Sequence, residues 1–396
     1  AGEDGFIIDS NDGAYELKLG GLLQGDTRIF ADDEGAFDDT FTVRRARPIL
    51  TGTVGDFVSF RLMPDFGGSD IQLVDAFIDV ITPLQSLYNL RNTDSAGETV
   101  PLAVLRGGKF KSPVGLERLQ SASWIHMIER GYPTELAPNR DIGVEVYSGD
   151  LINGKIGNPF NYAFAFTNGA PDGRDSPNIN PDDDFEFSAR VGVEPIDGLG
   201  FDIAGSIGDK EGGTGEDAEF FLPRYRSPGQ ETIFEYAETT AAAGQQFRWS
   251  PQGYYYTGPF GVLAEYIQSQ INVTNGVVAD HLNHKAAQGT FVYVLTGEDA
   301  SFSGVDPELP VGGGGWGAWE LAGRLEWLDL DDDSFPLYAD PAAAVSEART
   351  FGLGVNWYLT KNVKAALDYF QTDFNGFAGV DFPKEKVVLS RLQVSF

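Results

Sequence analysis

Fixed positive charge is concentrated in a few short runs. Phe41-Thr42-Val43-Arg44-Arg45-Ala46-Arg47 holds three arginines in four residues, with Arg61 further along, and Gly107-Gly108-Lys109-Phe110-Lys111-Ser112-Pro113 holds two lysines flanking a phenylalanine. Arg118 and Arg130 follow in the stretch 112–139. Guanidinium and ammonium groups gathered on a low-dielectric wall lower the barrier for an anion passing along it. The chemistry on offer is therefore recognition of negative charge rather than bond-breaking. Histidine bases are limited to His126, His281 and His284, no Gly-x-Ser-x-Gly elbow is present, and 312–315 is a glycine run without the Lys-Ser/Thr of a phosphate-binding loop. With no cysteine, thiolate metal sites and disulfides are excluded. No cofactor is expected.

These side chains need a scaffold, and the sequence repeats one theme. From residue 14 onward, apolar and polar residues alternate with a period of two, the mark of a half-buried strand. Segment 14–30 sets Tyr15, Leu17, Leu19 and Leu23 against Glu16, Lys18, Gln24, Asp26 and Arg28, and segment 184–195 sets Phe185, Phe187, Val191 and Val193 against Glu186, Ser188, Arg190 and Glu194. The last third is the most regular, ending in 385–396, where Leu392, Val394 and Phe396 alternate with Arg391, Gln393 and Ser395. Weaker segments lie at 40–54, 57–64, 70–81, 101–111, 140–150, 159–168, 199–208, 246–257, 259–273 and 283–297, which brings the count to about sixteen. No stretch is long and apolar enough for a membrane-spanning helix, so a membrane protein with this sequence must cross with strands. Periodicity does not say which face is outside, and a soluble sandwich or barrel is the rival. Strand length, long connections and the terminal Phe favour a transmembrane antiparallel β-barrel, all-β, forming a single domain over 1–396 with 1–13 as an N-terminal extension.

Connections should then alternate in length, short on one side and long on the other. Asp56, 65–69, 195–198, Gly258 and 360–362 mark the short side; 31–39, 82–100, 112–139, 169–183, 209–245, 274–282, 298–315, 331–346 and 375–384 mark the long one. The third long connection, 112–139, has helical character at 115–121 and is expected to fold inward as a constriction, bringing Arg118 and Arg130 to the lumen. The plainer alternative packs it over the mouth. Three arginines in four residues break strand alternation, so a bulge near Arg44–Arg45 is expected to turn Arg44, Arg45 and Arg47 toward the lumen or rim; the alternative is an interfacial cluster meeting lipid phosphates.

The net charge of −31 opposes non-specific nucleic-acid binding. Much of it sits in connections such as 172–184, 211–219 and 329–333. These read as solvated loop tips, or alternatively as carboxylates holding Ca²⁺ or bridging lipopolysaccharide. A rival selectivity is also open: Glu16, Asp26, Glu265, Glu320, Glu326 and Asp368 lie on polar faces and would make a general or cation-preferring pore if they prevailed. The chain starts at Ala1 without an apolar leader, as expected if a signal peptide had been removed.

The runs 41–48 (FTVRRARP), 108–121 (GKFKSPVGLERLQS), 129–131 (ERG), 140–144 (RDIGV), 167–169 (TNG), 295–298 (LTGE), 356–359 (NWYL) and 391–393 (RLQ) resemble, in this order, the phosphate-selective porin O/P family. The resemblance implies a trimeric sixteen-stranded barrel of the bacterial outer membrane, passing small anions such as phosphate or polyphosphate. It also implies that Arg44 and Arg45 are rungs of an arginine ladder and that Lys109 is a constriction lysine.

Overall fold

The computed structural model describes all residues except 1–5, 32–36, 56, 69, 82–91, 94–98, 101–102, 149–150, 152–155, 157–158, 181 and 215–220. Asp56 and parts of the connections expected at 31–39, 82–100 and 209–245 therefore lie outside the described residues.

Sixteen long strands form the wall. In chain order they are β1 (Tyr15–Phe30), β2 (Thr40–Val54), β3 (Val58–Asp65), β4 (Gln72–Ile81), β5 (Val104–Lys111), β6 (Arg140–Ser148), β7 (Phe160–Thr167) and β8 (Glu186–Ile196). There follow β9 (Leu199–Glu211), β10 (Ala241–Thr257), β11 (Phe260–Thr274), β12 (Ala279–Val294), β13 (Ala318–Asp329), β14 (Val345–Thr360), β15 (Val363–Gly376) and β16 (Glu385–Ser395). Each pairs antiparallel with its neighbour, and β16 pairs with β1 from Leu22↔Ser395 to Phe30↔Val387, so the sheet closes. Closure leaves no open edge, the condition for a sheet to survive in hydrocarbon. Every one of the sixteen expected strands is present. Part of the expected N-terminal extension is ordered: a short strand, Phe6–Asp9, pairs with Leu19 through Glu16 of β1 and continues the column of β16 past Phe396.

Alternation settles which face is outside. In β8 the pattern is buried Glu186, Ser188 and Arg190 against exposed Phe187 and Val191, and in β14 exposed Phe351 and Leu353 against buried Thr350, Gly352, Gly354 and Asn356. Leu325 is 66% exposed, Leu392 60% and Ile203 57%, while Arg190, Arg248 and Arg324 are fully buried. A soluble protein would not leave an apolar belt of this extent in water; in a bilayer it is the lipid-facing surface.

The strand count also fixes the end at which each connection lies. We call the end carrying Tyr15 and Phe396 proximal and the other distal. Three expected end assignments are corrected. The stretch 65–69 joins β3 to β4 at the distal end rather than on the short-turn side, and the connections 82–103 and 295–317 join their strands at the proximal end despite their length. The expected long connection 274–282 is a four-residue turn, because β11 and β12 pair out to Thr274↔Ala279. Length misassigned these because it is not tied to one end of this barrel: the distal turn 275–278 is short and the proximal connection 295–317 is long.

Candidate functional site

The segment 112–139 between β5 and β6 is almost entirely buried and contains two helical turns, α1 (Leu116–Leu119) and α2 (Pro133–Leu136). Irregular backbone that is buried must find hydrogen-bond partners outside itself. Here the buried face of the wall supplies them. Glu265 of β11 accepts from the backbone N–H of Leu116 at 2.8 Å, Glu326 of β13 from Tyr132 at 3.0 Å, and Asp368 of β15 from Ile128 at 2.5 Å. Lys364 donates to the Ile125 carbonyl at 3.0 Å, Arg391 to Ile128 at 2.6 Å, Arg324 to Glu129 at 2.8 Å and Gln24 to Ala122 at 3.0 Å. Leu116, Leu119, Met127 and Ile128 pack with Tyr254, Tyr256 and Phe370 of the wall. The segment thus touches β1, β10, β11, β13, β15 and β16.

This bonding bears on the acidic rival. Of the six acids that would favour cations, Glu265, Glu326 and Asp368 hold backbone N–H groups, Asp26 pairs with Arg391 at 2.7 Å, and Glu320 meets His126 at 3.2 Å and Asn356 at 2.8 Å. Glu16 is exposed on β1. None of the six borders either of the two cavities described next.

A distal cavity of about 910 Å³ and a proximal cavity of about 980 Å³ occupy the interior. The distal one is bordered, among the described residues, by twelve basic side chains and five acidic ones, a formal excess of seven positive charges in a chain whose net charge is −31. Arg44, Arg45, Arg47, Lys109, Lys111, Arg118 and Arg130 all border it, and Arg61 borders the proximal cavity. All eight basic residues selected from sequence therefore line the interior. Four residues border both cavities: Arg47, Lys111, Ala122 and Arg140. That shared set marks the neck between them.

The partners of these cations differ. The bulge expected at Arg44–Arg45 is present: β1 and β2 pair Gln24↔Arg45 and then Gly25↔Val43, leaving Arg44 as the extra residue. Arg44 is thereby aimed at Glu129, at 2.7 Å, while Arg47 pairs with Asp65 at 2.7 Å and Arg61 with Asp75 at 3.1 Å. Arg140 shares Asp75 at 2.8 Å. Among the described residues Arg45 donates only to the neutral Gln24, at 2.8 Å. Lys111 donates to the carbonyls of Leu119, at 2.8 Å, and Gln120, at 3.0 Å; Arg130 donates to Glu117 O, at 3.0 Å, and to the same Gln120 O, at 2.6 Å. Two cations therefore converge on the C-terminal carbonyls of α1, whose partial negative charge orients them without neutralising them. Arg118 likewise donates to a carbonyl, that of Thr134. Burial, and after it the neighbouring Arg118 guanidinium, pushes Arg130 down to about 9, against the opposing attraction of Glu117. Glu129 goes the other way: burial would raise it, but Arg44 and Arg391 hold it well below the usual carboxylate range.

Lys109 is not at the neck. It borders the distal cavity alone, with Asn178 Oδ1 at 3.4 Å and Asp175 at 3.9 Å. Phe110, which strict alternation would place on the outer face, is fully buried. The cause is Gly108, whose φ of +131° interrupts the alternation and whose absent side chain leaves room for Ala76 O, 2.2 Å from where a Cβ would sit. Arg140 was missed from sequence because it opens a strand at the end of a long connection; the signal was its place opposite Lys111 in the β5–β6 ladder.

Other connections are fastened to the wall. Asp172, between β7 and β8, accepts from Arg248 at 2.5 Å, Gln246 at 2.9 Å, Ser269 at 2.8 Å and Tyr225 at 3.2 Å, and Arg248 also bonds Glu186 at 3.0 Å. Tyr225 belongs to a hairpin, Arg224–Arg226 with Thr232–Glu235, that brings Arg224 and Arg226 to the distal cavity and reaches β16, where Glu385 accepts from Ser227 at 2.5 Å.

The sequence of this chain matches the model for the phosphate-selective porin O and P family over residues 17–396. It is 25% identical to Porin O of Pseudomonas aeruginosa over 92% of this chain and 84% of that protein. Among solved structures it resembles the trimer form of in-vitro folded OmpT, an outer-membrane protein of Vibrio cholerae, with a TM-score of 0.57 at 12% identity, covering 97% of this chain and 100% of that one. It also resembles an anion-selective porin from Comamonas acidovorans, with a TM-score of 0.57 at 11% identity, covering 96% and 100%. Nearly the whole chain thus falls within one family, and the protein is a member of the phosphate-selective porins O and P: a channel of the bacterial outer membrane, not an enzyme.

Proposed function

We propose that this porin passes small inorganic oxyanions, phosphate first among them, and selects them at the neck formed by Arg47, Lys111 and Arg140 beneath the segment 112–139, which acts as the constriction loop. The observation that carries this is the set of residues bordering both cavities, three of four being cationic, with Lys111 bonded to carbonyls and to no carboxylate among the described residues. An anion entering the basic distal cavity meets Arg45, Arg118 and Arg130, none of which makes an ion pair among the described residues, before it reaches the neck. A buried, under-compensated cation is stabilised by an arriving anion, and oxyanions with several acceptor oxygens suit guanidinium forks. In this reading Arg44 and Arg45 are entry groups, Lys109 supplies long-range attraction, and Lys111, rather than Lys109, is the constriction lysine. Subunits assemble as homotrimers through the face of β3 to β7, whose strands are only 8 to 10 residues long and carry exposed Ile78, Leu105 and Phe164. Acidic loop tips are solvated or meet lipopolysaccharide through divalent cations such as Ca²⁺.

Planar-bilayer recording tests the reading. Under a tenfold KCl gradient the wild-type reversal potential should have the sign of an anion-preferring pore, and millimolar phosphate should reduce the chloride current. Lys111→Gln should weaken both effects by about tenfold in permeability ratio, the equivalent of one charge-assisted contact. Lys109→Gln should change them far less. A cation-signed wild-type potential, or equal effects of the two substitutions, would overturn the assignment.

A further inference from the structure

The connection 295–317 does not behave as a proximal turn. Phe302 is fully buried with its ring 6.2 Å from Tyr254 and 6.4 Å from Tyr256, Ala300 N donates to Gly258 O at 2.8 Å, and Phe302 O accepts from Gln120 of the segment 112–139 at 2.7 Å. The connection is therefore anchored inside the ring and reaches the base of α1. Its polar side is acidic: Glu298, Asp299, Asp306 and Glu308 all border the proximal cavity, and among the described residues none of the four makes an ion pair. Arg61 of β3 and Arg106 of β5 border the same cavity from about half-way round the sixteen-strand ring, and each already has a carboxylate, Asp75 at 3.1 Å and Asp79 at 2.7 Å.

The two cavities thus differ in the charge that is left over. In the distal one twelve basic residues face five acidic ones, an excess of seven; in the proximal one, among the described residues, eight basic residues, Lys18, Lys361 and Lys364 among them, face five acidic ones, an excess of only three, and four of those five acids lie on the connection. We propose that 295–317 is a second selectivity element, placed after the neck, whose four carboxylates lower anion occupancy in the proximal cavity and so hasten release. A pore that is positive at one end and less so at the other fills with anions when they are driven from the positive end and is depleted when they are driven toward it. Anion current therefore runs more readily from distal to proximal than in reverse. This inference rests on the anion-selective reading above and adds residues that the neck does not contain.

The experiment is single-channel recording at matched positive and negative voltages in symmetric 0.1 M KCl, together with reversal potentials, on the wild type and on Glu298→Gln/Asp299→Asn/Asp306→Asn/Glu308→Gln. The wild-type current should be about twofold larger at one polarity. The quadruple variant should conduct symmetrically and shift further toward anions. Should that variant fail to fold, Asp306→Asn/Glu308→Gln, at two exposed positions, should remove about half of the asymmetry. Unchanged asymmetry in the variants, or a symmetric wild type that prefers anions, overturns the proposal while leaving the neck intact. A wild type that prefers cations overturns the anion reading itself and this inference with it, and that result is read on the wild type alone.

Discussion

A cation in this pore is informative through its partner more than through its presence. Arg44, Arg47 and Arg61 each carry a carboxylate within 3.1 Å, whereas Lys111 and Arg130 spend their hydrogen bonds on the carbonyls that end α1. Glu129 is the clearest test of this distinction. It borders the distal cavity as the counter-charge of Arg44 and Arg391, so Glu129→Gln should raise the anion-to-cation permeability ratio, read from the reversal potential, rather than merely loosen the loop. The pH dependence has a definite sign. A carboxylate held below its ordinary range contributes stability above its unfolded pKa and loses it only as pH falls through the lower folded value. The Arg44–Glu129 contact should therefore persist on acidification from pH 7 to about 4, where free glutamate begins to protonate, and wild-type selectivity should gain no component from this pair in that interval. The clustering of Arg44, Arg45 and Arg47 was legible in the sequence, and so was the bulge, because three arginines cannot share one strand face. Their pairing was not: Glu129 lies 85 residues from Arg44, and Asp65 meets Arg47 across β3. Arg140 escaped notice for the related reason that its importance comes from the ladder and from Asp75, neither of which is local to it.

At the scale of elements, period-two alternation carried the strands because lipid outside and polar groups inside impose it on nearly every pair of residues. It failed at Gly107–Gly108, where a positive φ re-aims the end of β5, and Gly108→Val should be costly because its Cβ would meet backbone rather than a movable side chain. Connections carry no comparable period, which is why the proximal placement of 295–317 could not be read from its length. What identifies their roles is the set of wall residues reserved for them. Asp172 is one such residue, fully buried, with Arg248 also fully buried against it. Asp172→Asn leaves Arg248 without half of its counter-charge, and breaking a buried pair of this kind costs about 3–5 kcal/mol. Because β7 to β10 keep their backbone ladders, the loss should fall on the connection 168–185 and not on the barrel. Limited trypsin digestion should then cut after Arg174 in the variant while the wild type resists; a variant as resistant as the wild type would show that the hub is dispensable.

For the molecule as a whole, the question is how a chain of net charge −31 can prefer anions. Exposed charges act over about a Debye length, roughly 10 Å at 0.1 M salt and 30 Å at 0.01 M, whereas buried groups are screened far less. At 0.1 M the acids on the outer connections are confined to their own neighbourhood, and an ion in the distal cavity responds to the seven excess positive charges that border it. Dilution extends the reach of the outer acids to both mouths, where they lower the local anion concentration before any ion meets the neck. A pore whose charge resided in its wall alone would become more anion-selective on dilution, since less screening strengthens the wall. This barrel, with opposite signs inside and outside, should do the reverse: the anion-to-cation permeability ratio should fall between 0.1 and 0.01 M KCl at a fixed gradient. The same measurement on a variant with 329, 331, 332 and 333 changed from Asp to Asn should recover part of the lost preference at 0.01 M and change nothing at 1 M, where the Debye length is about 3 Å. A ratio that rises on dilution in the wild type would mean that the interior charge alone governs selectivity and that the acidic exterior is electrically remote from the path.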